Sequence, residues 1–265
     1  MRTKLKVVFA AMCMLLFGVW TGSSSAKEMK SQLYLVADVT VFPSQETNFV
    51  LAGREQAALY AKYKCKYSWN VFSTEDGHYY FLFPVKNLAD VENFWLERKR
   101  IRKEGAEDLA FQAMLEKFKG TYEFIRWGTM TFAPELSLLP ESAPPPSGET
   151  WFRYWVFDYV MPGYKKEYEE AVKALLNVCA DKKISQTYYC YTGGLGTDEP
   201  LYVWVAYAKN AIDYHEQQKL FWETLGEEGV GLFQKWMKYV RKREARTGRI
   251  RVGLSYKIET EEKKK

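Results

Sequence analysis

The chain has 265 residues, of which 17% are aromatic, and its formal net charge is +5 at neutral pH. Removing the three basic residues at positions 2, 4 and 6 leaves +2, so charge gives no argument for binding to nucleic acid or an anionic membrane. Three cysteines follow residue 26, too few for a disulfide-built scaffold. They allow one disulfide of undetermined pairing or three buried thiols, at Cys65, Cys179 and Cys190.

Residues 1–26 have the pattern of a secretory signal peptide. An uncharged, mostly apolar stretch over 7–20 follows the basic positions, and Ser24-x-Ala26 fits the small residues that precede a cleavage site. As a helix this stretch would reach about 21 Å, short of the ~30 Å hydrocarbon core of a bilayer. The sequence therefore favours a cleaved signal over a retained anchor. It predicts an exported protein, periplasmic or secreted, with no integral membrane segment after cleavage of the signal.

Residues 30–133 are predicted to form one compact unit. Alternating β-branched and aromatic residues indicate strands, apolar residues at helical spacing indicate helices, and turn-forming residues at 74–77 indicate a hairpin. The predicted order is strand, helix, strand, strand, helix, helix and strand, over residues 33–42, 45–64, 67–73, 79–85, 87–102, 106–118 and 125–132.

The next segment, residues 134–150, contains five of the nine prolines and is predicted to be an extended surface linker. Residues 151–259 then repeat the order of elements, and a charged tail follows at 260–265. A glycine-rich loop at 193–196 joins two strands without the Lys-Ser/Thr of a phosphate loop, so a hairpin connection is expected. The predicted elements of this unit are 152–160, 164–180, 184–191, 201–208, 211–225, 228–243 and 250–258.

Short phrases recur between the two units and indicate a duplication. Lys-Asn-x-x-Asp at 86–90 returns at 209–213, Phe-Gln at 111–112 returns at 233–234, and Val-x-Pro at 41–43 returns at 160–162. Each unit then has the βαββαβ order of a ferredoxin-like fold, with helices on one face of an antiparallel sheet. Because the other face is aromatic, we expect the two sheets to pack together as an intramolecular α/β barrel of the α+β class.

This order of elements resembles the dimeric α/β-barrel superfamily, with both barrel halves supplied by one chain. Pro-Leu-Tyr-Val at 200–203, Gly-Glu-Glu-Gly at 226–229 and Thr-Gly-Arg-Ile-Arg at 247–251 resemble NIPSNAP-like exported bacterial proteins. The superfamily implies varied activities, including small monooxygenases, haem-handling enzymes and binding domains. Fold alone does not choose among them.

The two histidines of the chain are weak candidates for a cofactor site. The resemblance implies an axial histidine in members that bind haem, which makes His215 the candidate haem ligand. Its counterpart in the first unit is Glu92, and His78 is expected in a solvated turn. No cofactor is predicted as the main interpretation, and no spacing of histidines and cysteines matches a metal site.

Aromatic residues alternate along the predicted strands, which favours a barrel core or the lining of a ligand pocket. The candidate ligand-binding residues are Trp69, Tyr189 and Tyr202, with Asp158 as a polar group that orients the ligand. Arg249 and Arg251 are two residues apart on a predicted strand and would point to one side, toward an anionic group or an interdomain pair.

The sequence shows no nucleophile elbow and no catalytic set. We therefore predict a non-catalytic role, either binding a small, partly apolar or aromatic ligand in the barrel or acting as an interaction module of the cell envelope. The alternative is a cofactor-free or haem-dependent enzyme of the monooxygenase type. A third hypothesis is that the chain is a mainly structural protein that binds a partner. The sequence does not decide whether the chain forms a homo-oligomer.

Overall fold

The computed structural model describes residues 29–140 and 151–258. The predicted signal peptide, residues 141–150 of the predicted linker and the charged tail lie outside the described residues. Within the described ranges, no helix combines the length and the apolar composition that crossing a membrane requires.

Residues 29–140, the first half, contain four strands and three α-helices. In chain order these are β1 (Gln32–Val41), α1 (Glu46–Lys62), β2 (Asn70–Thr74), β3 (His78–Val85), α2 (Ala89–Glu104), α3 (Leu109–Phe118) and β4 (Tyr122–Phe132).

Residues 151–258, the second half, follow the same order with one helix fewer. The elements are β5 (Phe152–Val160), α4 (Lys165–Asp181), β6 (Tyr188–Gly193), β7 (Leu201–Ala208), α5 (Ala211–Met237) and β8 (Val240–Ile250). A kink at Gly226, with φ of 64°, divides α5 where the first half separates α2 from α3.

The eight strands close into one antiparallel barrel in the order β1-β3-β2-β8-β5-β7-β6-β4. Alternate residues of each strand face opposite sides of the barrel wall. On β3, Tyr80 and Leu82 belong to the cluster inside the barrel, whereas Tyr79, Phe81 and Phe83 pack outward with residues of the helices. The prediction of ferredoxin-like sheets that pack together as an α/β barrel is confirmed.

The end of the second half differs from the prediction. The sequence predicts a helix to residue 243 and a strand over 250–258, but α5 ends at Met237 and β8 spans Val240–Ile250. In β8, Arg246 lies over the ring of Phe157 and Arg243 pairs with Asp158 on the other face. Because charged residues occupy both faces, this strand lacks the apolar alternation by which sequence reveals strands.

The recurring Lys-Asn-x-x-Asp phrase is a helix-capping motif. The side chain of Asn87 accepts a hydrogen bond from the backbone N–H of Asp90, whose carboxylate accepts one from the N–H of Lys86. Asn210 and Asp213 make the same two bonds at the start of α5. Each phrase thus satisfies backbone N–H groups where a strand turns into a helix.

Each half ends in a tail that crosses to the other half. After β4, Leu138 forms a β-bridge with Tyr188, and after β8, Tyr256 forms one with Trp69. Residues 134–140 are therefore not the extended surface linker that the prolines predict. Pro134–Leu136 is a short 3-10 turn, and Leu136 is buried in the core of the second half.

The three described cysteines are free and buried. Of the two alternatives that the sequence leaves open, the structure has three buried thiols. Burial raises the pKa of Cys179 to about 11, so this thiol stays protonated at neutral pH.

Candidate functional site

A cavity of about 410 Å³ lies in the first half, between the outer face of the sheet and the helices. This volume falls within the range of roughly 300–1,000 Å³ that is typical of small-molecule sites. Its walls are mainly aromatic, with residues from β1, β3, β4, the three helices and the segment that leads into β2. The aromatic lining residues are Phe49, Tyr60, Tyr67, Trp69, Phe81, Phe83, Phe94, Phe118, Tyr122 and Trp127.

Basic side chains from α2 and from the end of α3 also line this cavity, at Arg98, Arg102 and Lys119. The guanidinium of Arg98 lies 5.7 Å from the ring centroid of Phe94 and 5.6 Å from that of Trp127. Such cation–π contacts hold a cation against an aromatic wall. Arg98 is half-buried whereas Arg102 is exposed, so Arg98 is the better placed to meet a ligand.

Glu97 supplies a carboxylate to the same lining and is only 7% exposed. It accepts hydrogen bonds from the side chain of Arg100 (2.8 Å) and from the backbone N–H of Lys66 (3.0 Å). The bonds from Arg100 outweigh the effect of burial and hold the pKa of Glu97 below its usual value. The cavity wall therefore carries a fixed negative charge next to the positive charge of Arg98.

The hydroxyl of Tyr67 donates a hydrogen bond of 2.7 Å to Asp90, the capping residue of α2. Burial and this bond raise the pKa of Tyr67, which therefore stays protonated. Because its proton points at Asp90, the lone pairs of the Tyr67 oxygen can accept a hydrogen bond from a ligand hydroxyl.

The structure disperses the site residues that the sequence predicts. Trp69 lines the cavity of the first half, and its indole N–H donates to the carbonyl of Leu254. Tyr189 lines a different cavity, inside the barrel. Arg249 and Arg251 share a polar groove at the junction of the halves. The structure therefore does not bring these residues together in one pocket, and their role in binding a ligand stays a prediction.

Tyr202 and Asp158 have structural roles. The hydroxyl of Tyr202 donates to Glu169 at 2.6 Å, as Tyr79 does to Glu46 in the first half, so this bond fastens a strand to a helix in each unit. Asp158 is fully buried and paired with Arg243, within the core of the second half.

Arg251 also departs from its predicted role on a strand, because β8 ends at Ile250. Its guanidinium donates to Glu46 at 2.7 Å and to the hydroxyls of Ser73 and Tyr79. Arg251 therefore forms the interdomain pair that the sequence offers as one alternative. Arg249 lies beside it and is exposed.

The residues that sequence reasoning missed are Arg98, Glu97 and Tyr67. Arg98 belongs to a run of basic residues on α2, at 98–103, and such a run is typical of a helix face exposed to solvent. A signal was present, because Phe94 and Trp95 lie four and three residues before Arg98 on the same helix, at the spacing that brings side chains together.

Solved structures that align with this chain carry the names of enzymes or of an enzyme-like protein. An anthrone oxidase-like protein aligns with a TM-score of 0.56 and 13% identity, over 83% of this chain and 91% of the other. A provisionally named monooxygenase from Fusobacterium nucleatum aligns with a TM-score of 0.50 and 11% identity, over 85% of this chain and 97% of the other. A mutant chlorite dismutase from Candidatus Nitrospira defluvii gives 0.50 and 11%, over 85% and 94%.

The fold is a ferredoxin-like α/β barrel, which is consistent with the predicted superfamily. No protein-family model and no curated protein sequence matches the chain, so the finer NIPSNAP-like resemblance stays a prediction. The predicted non-catalytic role is overturned by the comparison, because the similar structures are named as enzymes or as enzyme-like. At identities of 11–13% the similarity establishes only the fold. The alternative that the sequence offers, an oxygenase-type enzyme, therefore replaces the non-catalytic role as a hypothesis.

The resemblance to the superfamily implies a haem with an axial histidine for some members. In this chain, no histidine lines the cavity between the sheet and the helices of the first half or the similar cavity of the second half. His215 is exposed on α5 and lines neither the cavity of the first half nor the corresponding one of the second. His78 is held by Asp38 at 2.7 Å, near the end of β1. Burial raises the pKa of Cys65, so its thiol is not poised as a thiolate ligand, and the described residues contain no cluster suited to a metal. The role predicted for His215 therefore does not fit.

Proposed function

We propose that this chain is a cofactor-independent oxygenase that oxidises a hydroxylated polycyclic aromatic compound with dioxygen, in the cavity of the first half. The observation that carries the proposal is the aromatic cavity of about 410 Å³ with the half-buried guanidinium of Arg98 in its lining. The name of the anthrone oxidase-like structure supports the substrate class.

The reaction needs no metal or flavin when the substrate supplies the electrons. An anthrone-type substrate has a CH2 group beside a conjugated carbonyl, and loss of one proton gives an electron-rich enolate. Transfer of one electron to dioxygen, recombination of the two radicals and protonation give a hydroperoxide. Loss of water then leaves a carbonyl where the CH2 group stood, so that one dioxygen yields one quinone and one water.

Arg98 is placed to stabilise the negative charge that develops on the enolate oxygen. A positive charge in an aromatic, water-poor site acts far more strongly than in bulk water. Glu97 is the carboxylate in the lining that can receive the substrate proton; its bonds to Arg100 lower its pKa, which keeps it ionised at neutral pH and makes it a weak base. Tyr67 accepts a hydrogen bond from a substrate hydroxyl and orients the ring system.

The test is oxygen consumption by the purified chain with an anthrone that carries ring hydroxyl groups, corrected for the rate in buffer alone. We expect one dioxygen consumed per anthrone, with the corresponding anthraquinone as the product seen by absorbance. Arg98→Ala should lower kcat/KM at least tenfold, because it removes stabilisation that exists mainly in the transition state.

Arg126→Ala is the matched control. Arg126 is an arginine of the same half that also lies over an aromatic ring, at 4.8 Å from Phe124, but it does not line the cavity. This variant should keep its rate within twofold of wild type. A wild-type rate equal to the buffer rate, or equal rates for both variants, would refute the proposal.

A further inference from the structure

The second half has its own cavity between the sheet and the helices, of about 240 Å³. Residues of β5, β6, β7 and β8 line one side of it, and residues of α4 and α5 line the other. Its walls are again mainly aromatic and aliphatic. Its polar groups, however, differ from those of the cavity in the first half, and they determine a different kind of ligand.

No unpaired charge lies in the described lining of this second cavity. Arg243 is the one charged residue among the described residues that line it, and its guanidinium donates two hydrogen bonds to the buried carboxylate of Asp158, at 2.6 and 2.8 Å. In the first half, the guanidinium of Arg98 lies against aromatic rings instead of a carboxylate. Because an ion without a partner is costly to move into an apolar site, the second cavity suits a neutral molecule.

The indole N–H of Trp236 is a buried donor without an acceptor. Trp236 lines the cavity and is 8% exposed, and its Nε1 makes no hydrogen bond with any residue that the structure describes. Two other buried tryptophans are paired. Trp69 donates to the carbonyl of Leu254 at 2.8 Å. Trp204 donates to the hydroxyl of Tyr168 at 3.0 Å. Because native proteins pair nearly all buried donors, an unpaired one at a cavity wall points to an acceptor that a ligand supplies.

A tyrosine and a glutamine add a further donor to the lining. The hydroxyl of Tyr188 and the side-chain amide of Gln218 are hydrogen-bonded to each other, and both residues line the cavity. The pair has three N–H and O–H protons and uses one of them between its members, in either orientation of the amide. Burial raises the pKa of Tyr188, which keeps its hydroxyl protonated at neutral pH. The polar groups of the cavity therefore favour a molecule that accepts hydrogen bonds.

The volume of the cavity limits this molecule to one or two rings. An engineered protein cavity of about 150 Å³ accepts a benzene molecule. A volume of about 240 Å³ therefore leaves room for a second, fused ring. The rings of Tyr154 and Tyr214 stack with their centroids 4.5 Å apart, and those of Trp222 and Phe233 meet edge to face at 5.1 Å. These side chains line the cavity and give a ring system flat apolar surfaces to pack against.

We propose that the cavity of the second half binds a neutral ketone of one or two rings, whose carbonyl oxygen accepts the hydrogen bond of the Trp236 indole N–H. Tyr188 and Gln218 provide the second donor, and the aromatic walls hold the rings. This site is separate from the cavity of the first half and does not depend on the proposed oxidation.

Isothermal titration of the purified chain with 1-tetralone and with tetralin tests the proposal. The two probes share the same pair of fused rings and differ by one carbonyl group. Tetralin is the more hydrophobic of the two, so a carbonyl left without a donor would make the ketone bind more weakly. We expect 1-tetralone to bind at least as tightly as tetralin. No binding of 1-tetralone, or tighter binding of tetralin, would overturn the proposal without any variant.

Trp236→Phe keeps an aromatic ring and removes the N–H. It should weaken the binding of 1-tetralone at least fivefold and leave that of tetralin within twofold of wild type. Trp151→Phe, at an exposed tryptophan outside this cavity, is the control and should bind both probes like wild type. An equal loss of both probes in Trp236→Phe, or no loss of either, would refute the hydrogen bond on which the proposal depends.

Ala245→Phe assigns the binding to this cavity, and it keeps the proposal testable if Trp236→Phe does not fold. Ala245 lines the cavity from β8 and is exposed, so a larger side chain fills the space without displacing a buried one. The variant should remove one equivalent of 1-tetralone binding. If every equivalent survives in the folded variant, the ketone binds elsewhere and the site is refuted. None of these outcomes bears on oxidation in the first half.

Discussion

The carboxylate of Asp158 is fully buried. Three hydrogen bonds offset the free-energy cost of removing this charge from water. Arg243 donates two of them, at 2.6 and 2.8 Å, and the hydroxyl of Tyr168 donates the third at 2.9 Å. The equivalent position in the first half is Val39, which is buried without any polar partner. The same sheet position thus accepts either an apolar side chain or a fully satisfied ion pair, which accounts for Asp158 without a ligand.

Asp158→Ala should lower the free energy of unfolding by about 3–5 kcal/mol, because it leaves Arg243 and Tyr168 without their acceptor. Replacing both partners, as in Asp158→Val with Arg243→Met, should recover most of the loss, since no unpaired charge then stays buried. Urea unfolding of the two variants measures this difference. Equal destabilisation in the single and double variants would show that the charge pair is not what the single change breaks.

At the scale of elements, the sequence reveals the helices and most strands because their apolar spacing is clear. It fails at β8, whose charged residues face both sides of the barrel wall, and at the joining of two predicted helices into α5. The kink in α5 depends on one glycine with positive φ, at Gly226. Periodicity cannot show whether a glycine interrupts a helix or bends it, since the apolar pattern continues on either side.

Gly226→Ala should destabilise the chain by about 1–2 kcal/mol, because a side chain disfavours the left-handed backbone that the kink requires. No backbone atom crowds this position, so strain in φ is the main cause. Gly231→Ala, in the same helix and with open space around it, should be stabilising by up to about 1 kcal/mol. Thermal or urea unfolding checks the opposite signs, and a shared sign would contradict the assignment of the kink.

At the scale of the whole molecule, the barrel is predictable because each aromatic sheet face needs a cover. The position of the candidate site cannot be predicted from the sequence, since aromatic residues lie on both faces of the same strands. Trp69 and Phe83 point to the helices, whereas Phe72 and Tyr80 point into the barrel. Alternation identifies two faces but does not say which one leaves the larger space. That depends on how closely α2 and α3 approach the sheet.

The crossing tails should make the two halves unfold together. Leu254 follows β8 of the second half, yet it is buried in the core of the first at 2% exposure, next to Gly53 of α1. Leu254→Ala should lower the free energy of unfolding by about 2–5 kcal/mol. Tryptophan fluorescence should still show a single transition, because both halves share one barrel.

Val252→Ala, at an exposed residue of the same turn, is the control and should change stability by less than about 0.5 kcal/mol. Two separate transitions in the Leu254 variant would show that the halves are independent.

The exchange of tails also determines where the chain can be divided. A cut between residues 141 and 150 leaves Leu136 and Leu138 on one fragment and Leu254 and Tyr256 on the other, so each piece keeps the segment that completes its counterpart. Two such fragments produced together would have matching halves of one barrel and reciprocal arms to clasp each other. A division at Pro134 would leave both arms on a single piece. The fold therefore contains the geometry of a heterodimer whose subunits are connected by a covalent tether.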